Sequence, residues 1–308
     1  MKRILLITAL ALALTATAPA QTKDLQGTLT LSGAWAIYPT AVAWGEAFQK
    51  QHPGVKVDVS AGGAGKGASD AIAGLVDIGM VSREPDPAEL KKGITPIYVL
   101  HDAVFPVVSE KNPALPELMK RGLSLNTLRD VYVTGAAATW SAAGVKSDKP
   151  IHIYTRSDSC GAAASWAAAF GKKQEDLKGV GVYGDPGLLL AVLSDPLGLG
   201  YNNFSYVFTR EGGLLAGIRL LPIDADGNGK ADPGEILTNR ASAIAAIESG
   251  KYPVTRKNYF FVKGAPKGLL KEFLKFVLSD EGTKVVTDVG TSLPIPKAER
   301  DQLYKSLQ

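Results

Sequence analysis

One cysteine, Cys160, is all that 308 residues contain, so an internal disulfide is excluded and stability must come from the size of the core. Histidine is nearly as scarce, and the spacing of His52, His101 and His152 does not suggest zinc. Aromatic residues are 7 % of the chain and scattered, which provides no base-stacking platform. No charge of one sign dominates. Lys and Arg number 34 against 30 Asp and Glu, without a basic block, and this excludes the electrostatic footprint of nucleic-acid binding. There is no repeat of fixed period, which removes solenoids. Past residue 20, no apolar run approaches the ~20 residues that span a bilayer. What remains is ordinary globular composition, 45 % apolar and 21 % charged, with 33 Gly and 18 Pro. The length fits one large or two medium domains.

The N-terminus reads as a targeting segment. Lys2 and Arg3 form a positive start, residues 4–18 an apolar stretch too short for a membrane anchor, and Ala18-Pro19-Ala20 a signal-peptidase site. Residues 1–20 are therefore expected to be a signal peptide cut before Gln21, lowering the formal charge from +4 to +2. No cysteine follows, which argues against a lipoprotein. The expected location is the periplasm or the medium.

Strand and helix patterns then alternate. Strands are expected over 27–31, 55–59, 77–81, 97–100, 103–108 and 150–155, with a return strand starting at 199–201 and another over 218–223. Helices are expected after Pro39, over 62–75, 161–170, 187–193, 241–248, 269–278 and 281–289. Residues 123–133 read as a helix leading into a strand. This alternation predicts an α/β architecture with parallel strands.

Three loops stand between a strand and a helix: Ser32-Gly33-Ala34-Trp35-Ala36-Ile37-Tyr38-Pro39, the glycine-rich run 62–67, and Thr155-Arg156-Ser157-Asp158-Ser159-Cys160-Gly161-Ala162. Each exposes backbone N–H groups at a helix N-terminus, where the helix dipole favours an anion. Glycine lets backbone approach a ligand, and Arg156 adds a forked, permanent positive charge. Singly each loop is also compatible with a plain turn, and the glycine run lacks the Gly-Lys-Ser/Thr ending of a P-loop. Together they predict an anion cage.

Ser-Gly-Ala-x-x-x-Tyr-Pro at 32–39, Gly-Gly-x-Gly-x-Gly at 62–67, Val-Asp-Ile-Gly-Met-x-Ser-Arg-Glu at 76–84 and Arg-Ser-Asp-Ser-Cys-Gly at 156–161 stand in one order. With Asp195-Pro-Leu-Gly-Leu-Gly-Tyr-Asn-Asn203 and the Phe-Val-Leu-Ser-Asp-Glu-Gly segment at 276–282, they resemble the phosphate-binding proteins of high-affinity phosphate ABC transporters over nearly all of the chain. The resemblance implies a two-lobed Venus-flytrap fold, closing by hinge motion on one small anion. Lobe one is expected at 21–105 plus 258–308 and lobe two at 106–257. The implied ligand shell is Ala34, Ile37, Tyr38, Ala64, Gly65, Ser82, Arg156, Ser159, Cys160, Gly161 and Ala162. The implied partners are inorganic phosphate and an ABC permease, and the implied state is a monomer.

The chain departs from the family pattern at three places. Cys160-Gly161-Ala162 stand where Ser-Gly-Thr is usual, Ala64-Gly65 where a serine is common, and Ser82 where many members carry an aspartate that accepts the proton of hydrogen phosphate. Each absent neutral hydrogen bond is worth about 0.5–1.5 kcal/mol, so two or three weaken affinity by roughly one to three decades. The alternative is therefore a binding protein or sensor for arsenate, sulfate, molybdate or tungstate. An anion sensor or scavenger of the same fold is a further non-transport reading.

A second motif reads from spacing alone. In the segment 224–235, Asp224, Asp226, Asn228, Asp232 and Glu235 fall at positions 1, 3, 5, 9 and 12 of an EF-hand-like calcium loop, with glycine at 6 and the Lys230 carbonyl at 7. A strand precedes the loop, and a helix is expected after Pro233. A structural calcium ion is predicted, with a polar turn as the plain alternative. No cofactor for activity is expected. A Cys–His hydrolase would need Cys160, with its pKa lowered at a helix N-terminus, and one of the three histidines as base. No local signature joins them, so the chain is read as a binding protein and not an enzyme.

Overall fold

The computed structural model describes residues 25–308; the signal peptide expected at 1–20 lies outside the described residues. Strands β1 (Gly27–Gly33), β2 (Val55–Ala61) and β3 (Ile78–Val81) are parallel. Each of the first two feeds a helix, Tyr38–Gln51 and Ala64–Ala73, as apolar alternation and the intervening glycines suggested. Strand β4 (Ile94–Ser109) is a single run of 16 residues. Then come β5 (Leu123–Ser124), β6 (His152–Arg156), β7 (Val180–Val182), β8 (Gly198–Asn203), β9 (Ile218–Leu220), β10 (Ile223–Asp224) and β11 (Thr255–Lys263).

One mixed sheet runs β2-β1-β3-β11-β4-β8-β6-β7, with β9 also on β4; β5 and β10 form a separate pair. Its centre explains the two lobes. β4 pairs antiparallel with β11 over its first ten residues, then with β8 and β9 over the rest. Buried apolar residues fall into two clusters. One takes 29–100 and 259–307, around Trp44, Phe48, Phe260 and Phe273; the other takes 103–254 with Leu293, around Trp140, Trp166, Tyr132 and Phe105. The clusters change over between Leu100 and Ala103 on β4, and between Val254 and Tyr259 on β11. Each large apolar side chain so buried contributes about 1.5–3 kcal/mol, so each lobe has its own core and the crossing strands join them. The fold is α/β and two-lobed.

Several elements differ from the sequence reading. The strands expected at 97–100 and 103–108 are one strand. The polar His101-Asp102 pair that divided them is accommodated because Asp102 is buried against Arg256 of β11. Residues 123–133 hold no strand after the helix Leu125–Arg129, which instead widens into a π turn, Asp130–Thr134, and stops at Gly135 with φ +74°. The strand expected over 218–223 is split between two sheets at Pro222, which has no N–H to donate to a ladder. No helix starts at Pro233; the next is Arg240–Glu248. Glu235 is drawn back to accept the Ala225 N–H at 2.7 Å, so residues 232–235 close a turn. Strand β11 and the helix Lys297–Ser306 are additional; the Thr-Arg-Lys-Asn start of the strand hides its apolar half.

Candidate functional site

The glycine run and the 34–38 turn follow parallel strands β2 and β1. The 157–160 loop follows β6, and the helix Gly184–Ser194 follows β7. In open α/β sheets the carboxyl ends of strands are where ligands bind, because helix N-termini gather there. Here these ends face one another between the lobes and touch. Gly65 N–H donates to the Ser159 carbonyl at 3.0 Å. A Cβ on Gly63 would lie 2.7 Å from an Asp158 oxygen, and one on Gly161 would overlap the carbonyl and hydroxyl of Ser82. Trp35 packs edge-on against Tyr183, centroids 6.2 Å apart. The lobes are in contact at these loops, while a pocket stays open between them beside Arg83, Glu84 and Ser165.

Of the residues expected in the shell, Gly65, Ser82, Ser159 and Gly161 meet across the cleft, with Cys160 and Ala162 beside them at the start of the helix Gly161–Ala168. The first-turn amides of Gly161 and Ala162 have no carbonyl one turn ahead to receive them. Ala64 is buried behind the glycine turn. The 34–38 turn is different. The Ala34 N–H donates to Met80, Ile37 donates to Ala34, and Tyr38 to both Ala34 and Trp35, so these amides close their own turn.

Arg156 is the electrostatic centre. Its side chain has no exposure, yet it is held by two carboxylates. Nε donates to Asp158 Oδ1 at 2.8 Å, Nη2 to Asp158 Oδ2 at 2.5 Å, and Nη1 to Asp185. Burial works against this charge, but Asp185 and Asp158 outweigh it and hold the guanidinium protonated. Three of five guanidinium N–H groups are thus engaged, and two have no protein partner. Asp158 also accepts the N–H of Gly184 at 3.1 Å, so a carboxylate already rests on a helix N-terminus here.

Residues beyond the expected shell complete this centre. Asp158 stands inside the 155–162 motif, where its pairing with Arg156 adds it to the expected shell. Asp185 opens a helix after a glycine, a signal that was available. Asn203 ends a motif already singled out. Asp102 and Arg256 carry no local signal, because each is explained only by the other.

The hydrolase alternative does not survive the geometry. Burial pushes the Cys160 thiol up to about 12, the reverse of activation. Its Sγ accepts the Ala163 N–H at 3.3 Å, an N-cap role. The histidines are engaged elsewhere: His52 packs at a tilt against Phe48, His101 bonds Tyr98 at 3.2 Å, and His152 bonds Asp195 at 2.7 Å.

The acidic loop lies apart, in lobe two. Oxygens of Asp224, Asp226 and Glu235 lie within 4.8 Å of one another. Asp224 accepts N–H groups from Gly227, Asn228 and Gly229 at 2.8, 3.1 and 2.9 Å. The Asn228 amide bridges Asp226 and Asp232, and its oxygen accepts the Lys230 N–H. Glu235 accepts the N–H groups of Ala225 and Asp232. Three carboxylates thereby converge, with Asp232 tied to them through Asn228 and no basic side chain bonded to any of the four.

Comparison with known proteins places this arrangement. A family model described as a PBP superfamily domain matches residues 18–281. The phosphate-binding protein PstS of Bacillus subtilis is 29 % identical over 265 residues, 86 % of this chain and 80 % of that protein. A Clostridium perfringens protein solved with bound phosphate, described as a phosphate ABC transporter substrate-binding protein, superposes with a TM-score of 0.72 at 23 % identity, covering 88 % of this chain and all of that one. An ABC-type phosphate transport receptor from Vibrio cholerae gives a TM-score of 0.66 at 19 % identity, over 87 % of this chain and all of the other.

Proposed function

The chain belongs to the PBP superfamily, and from that premise we propose that it is the substrate-binding protein of a phosphate ABC transporter. It works outside the cytoplasm as a monomer and delivers phosphate to a membrane permease. The supporting observation is the buried Arg156, with two N–H groups left over where helix N-termini of both lobes converge. The proposed shell takes Arg156, Ser159, Cys160, Gly161 and Ala162 from lobe two, and Ser82, Ala64 and Gly65 from lobe one, with the turn of Ala34, Ile37 and Tyr38 as outer wall. The lobes are taken as 21–105 plus 258–308, and 106–257. The described relatives favour phosphate over arsenate, sulfate, molybdate or tungstate. Among the described residues no helix is long and apolar enough to cross a membrane.

Calorimetric titration of ligand-stripped protein tests this reading. Phosphate is expected to bind with a micromolar or tighter Kd, and the other four oxyanions more weakly. Absence of phosphate heat, or tighter binding of any competitor, overturns it.

We also propose a structural calcium ion on Asp224, Asp226, Asn228, Asp232, Glu235 and the Lys230 carbonyl. The hard oxygen donors and the amides bonded behind Asp224 and Glu235 support it. The cation would neutralise the converging carboxylates. A chelator should lower Tm by about 5 °C at calcium levels near a hundred times Kd, and Asp224→Ala should remove that response. Melting curves unchanged by chelation reduce the loop to a turn.

A further inference from the structure

Behind Arg156 a line of buried polar groups runs to the crossing strands. Asp185 accepts from Arg156 on one oxygen and from Asn203 Nδ2, at 2.6 Å, on the other. Asn203 Oδ1 accepts from Arg256 Nη2, and Arg256 donates through Nε and Nη2 to Asp102 Oδ2 at 3.1 and 2.6 Å. Asp102 and Arg256 stand directly opposite in the β4–β11 register, where the two cores change over. All five side chains are buried.

The order of donors and acceptors is directional. Arginine can only donate and an ionised carboxylate can only accept, so Asn203 has one usable orientation, oxygen toward Arg256 and nitrogen toward Asp185. Its main-chain neighbour adds a second hold, as Asn202 Nδ2 donates to the Asp185 carbonyl at 3.0 Å. On the far side, the second Asp102 oxygen accepts the Ala103 and Phe204 N–H groups at 2.8 and 3.3 Å. The two outer carboxylate residues are thus also tied through backbone, Asp185 by its own carbonyl and Asp102 by the Ala103 and Phe204 N–H groups. In a low-dielectric interior such a chain is stiff, because displacing any member strands a charge.

We propose that Asn203 and Arg256 are positioning residues for the anion-binding arginine. They fix the Asp185 carboxylate, and Asp185 fixes the plane of the Arg156 guanidinium, so that its two remaining N–H groups point at the ligand. The crossing strands thereby set the geometry of the site as well as joining the lobes. The ligand in this statement rests on the phosphate reading, while the positioning does not.

The test is made on the full chain. In ligand-free protein, the Arg156 Nη–H resonances, which include the donor to Asp185, should shift and exchange with solvent at least tenfold faster in Asn203→Leu, while those of Arg300, also buried but remote, stay in place. Phosphate Kd should rise by about one to two decades. Arg256→Lys is the second variant. It keeps the charge on Asp102 but has no planar fork to reach Asn203 as well, and a smaller change in the same direction is expected. An Arg156 signal unmoved in both variants overturns the positioning role. If native protein binds no phosphate, the transport reading fails, and the Arg156 signal still decides this one.

Discussion

Arg156→Lys is expected to raise the phosphate Kd by about 100- to 20,000-fold, on the basis of two lost charge-assisted hydrogen bonds at about 1.5–3 kcal/mol each. Lysine keeps the positive charge but carries three donors on a single atom. Two carboxylates, Asp158 and Asp185, already claim three guanidinium N–H groups from different directions. An ammonium placed to satisfy them has nothing left to aim into the cleft. Arg156→Ala is harsher, because it strands two buried carboxylates, and breaking such a pair costs about 3–5 kcal/mol of stability. Lysine is therefore the cleaner variant. Calorimetry reads the affinity and thermal melting the fold. A lysine variant that binds phosphate within threefold of native would remove Arg156 from the centre of the site.

Gly161→Ala should separate closure from folding. The new Cβ would strike Ser82 of the other lobe, while within its own helix alanine is the better residue by up to about 1 kcal/mol. The fold of each lobe should therefore be unharmed and Tm without ligand nearly unchanged. The closed arrangement, however, carries the overlap. At about 1–3 kcal/mol for an overpacked contact, phosphate affinity should fall by roughly 5- to 150-fold. Small-angle scattering should show the phosphate-saturated native protein more compact than the phosphate-saturated variant. Gly79→Ala is the contrast. Its Cβ would meet Gly67 backbone and the Ala71 side chain inside lobe one, so it should lower Tm instead. Equal compactness of native and Gly161→Ala proteins at saturating phosphate would show that the lobes close without this contact.

Much of this molecule could be read before its structure was known, and the reason is local. The β1, β2 and helix 38–51 patterns rest on apolar spacing within a dozen residues. The loops proposed to hold the anion rest on glycine, serine and arginine beside a helix start. What escaped depends on distance along the chain. Asp185 acts on Arg156 from 29 residues away, and Asp102 meets Arg256 across 154. No window of sequence contains both halves of such a pair. The same cause split β4, since a buried His101-Asp102 step makes sense only with its remote partner in view. The helix expected after Pro233 failed for another reason: side-chain acceptors within the acidic loop outcompeted helical hydrogen bonding.

The position of β11 also governs the order in which the molecule can be made. One core is built almost wholly from the contiguous stretch 103–254, with only Leu293 from later. The other waits for residues 259–307, and β11 must slot between β3 and β4 before that sheet is whole. On a ribosome, lobe two can therefore consolidate while lobe one still exposes two unpaired strand edges. Those edges are sticky in any unfinished chain. A nascent or truncated protein ending before Thr255 would be a natural client for chaperones.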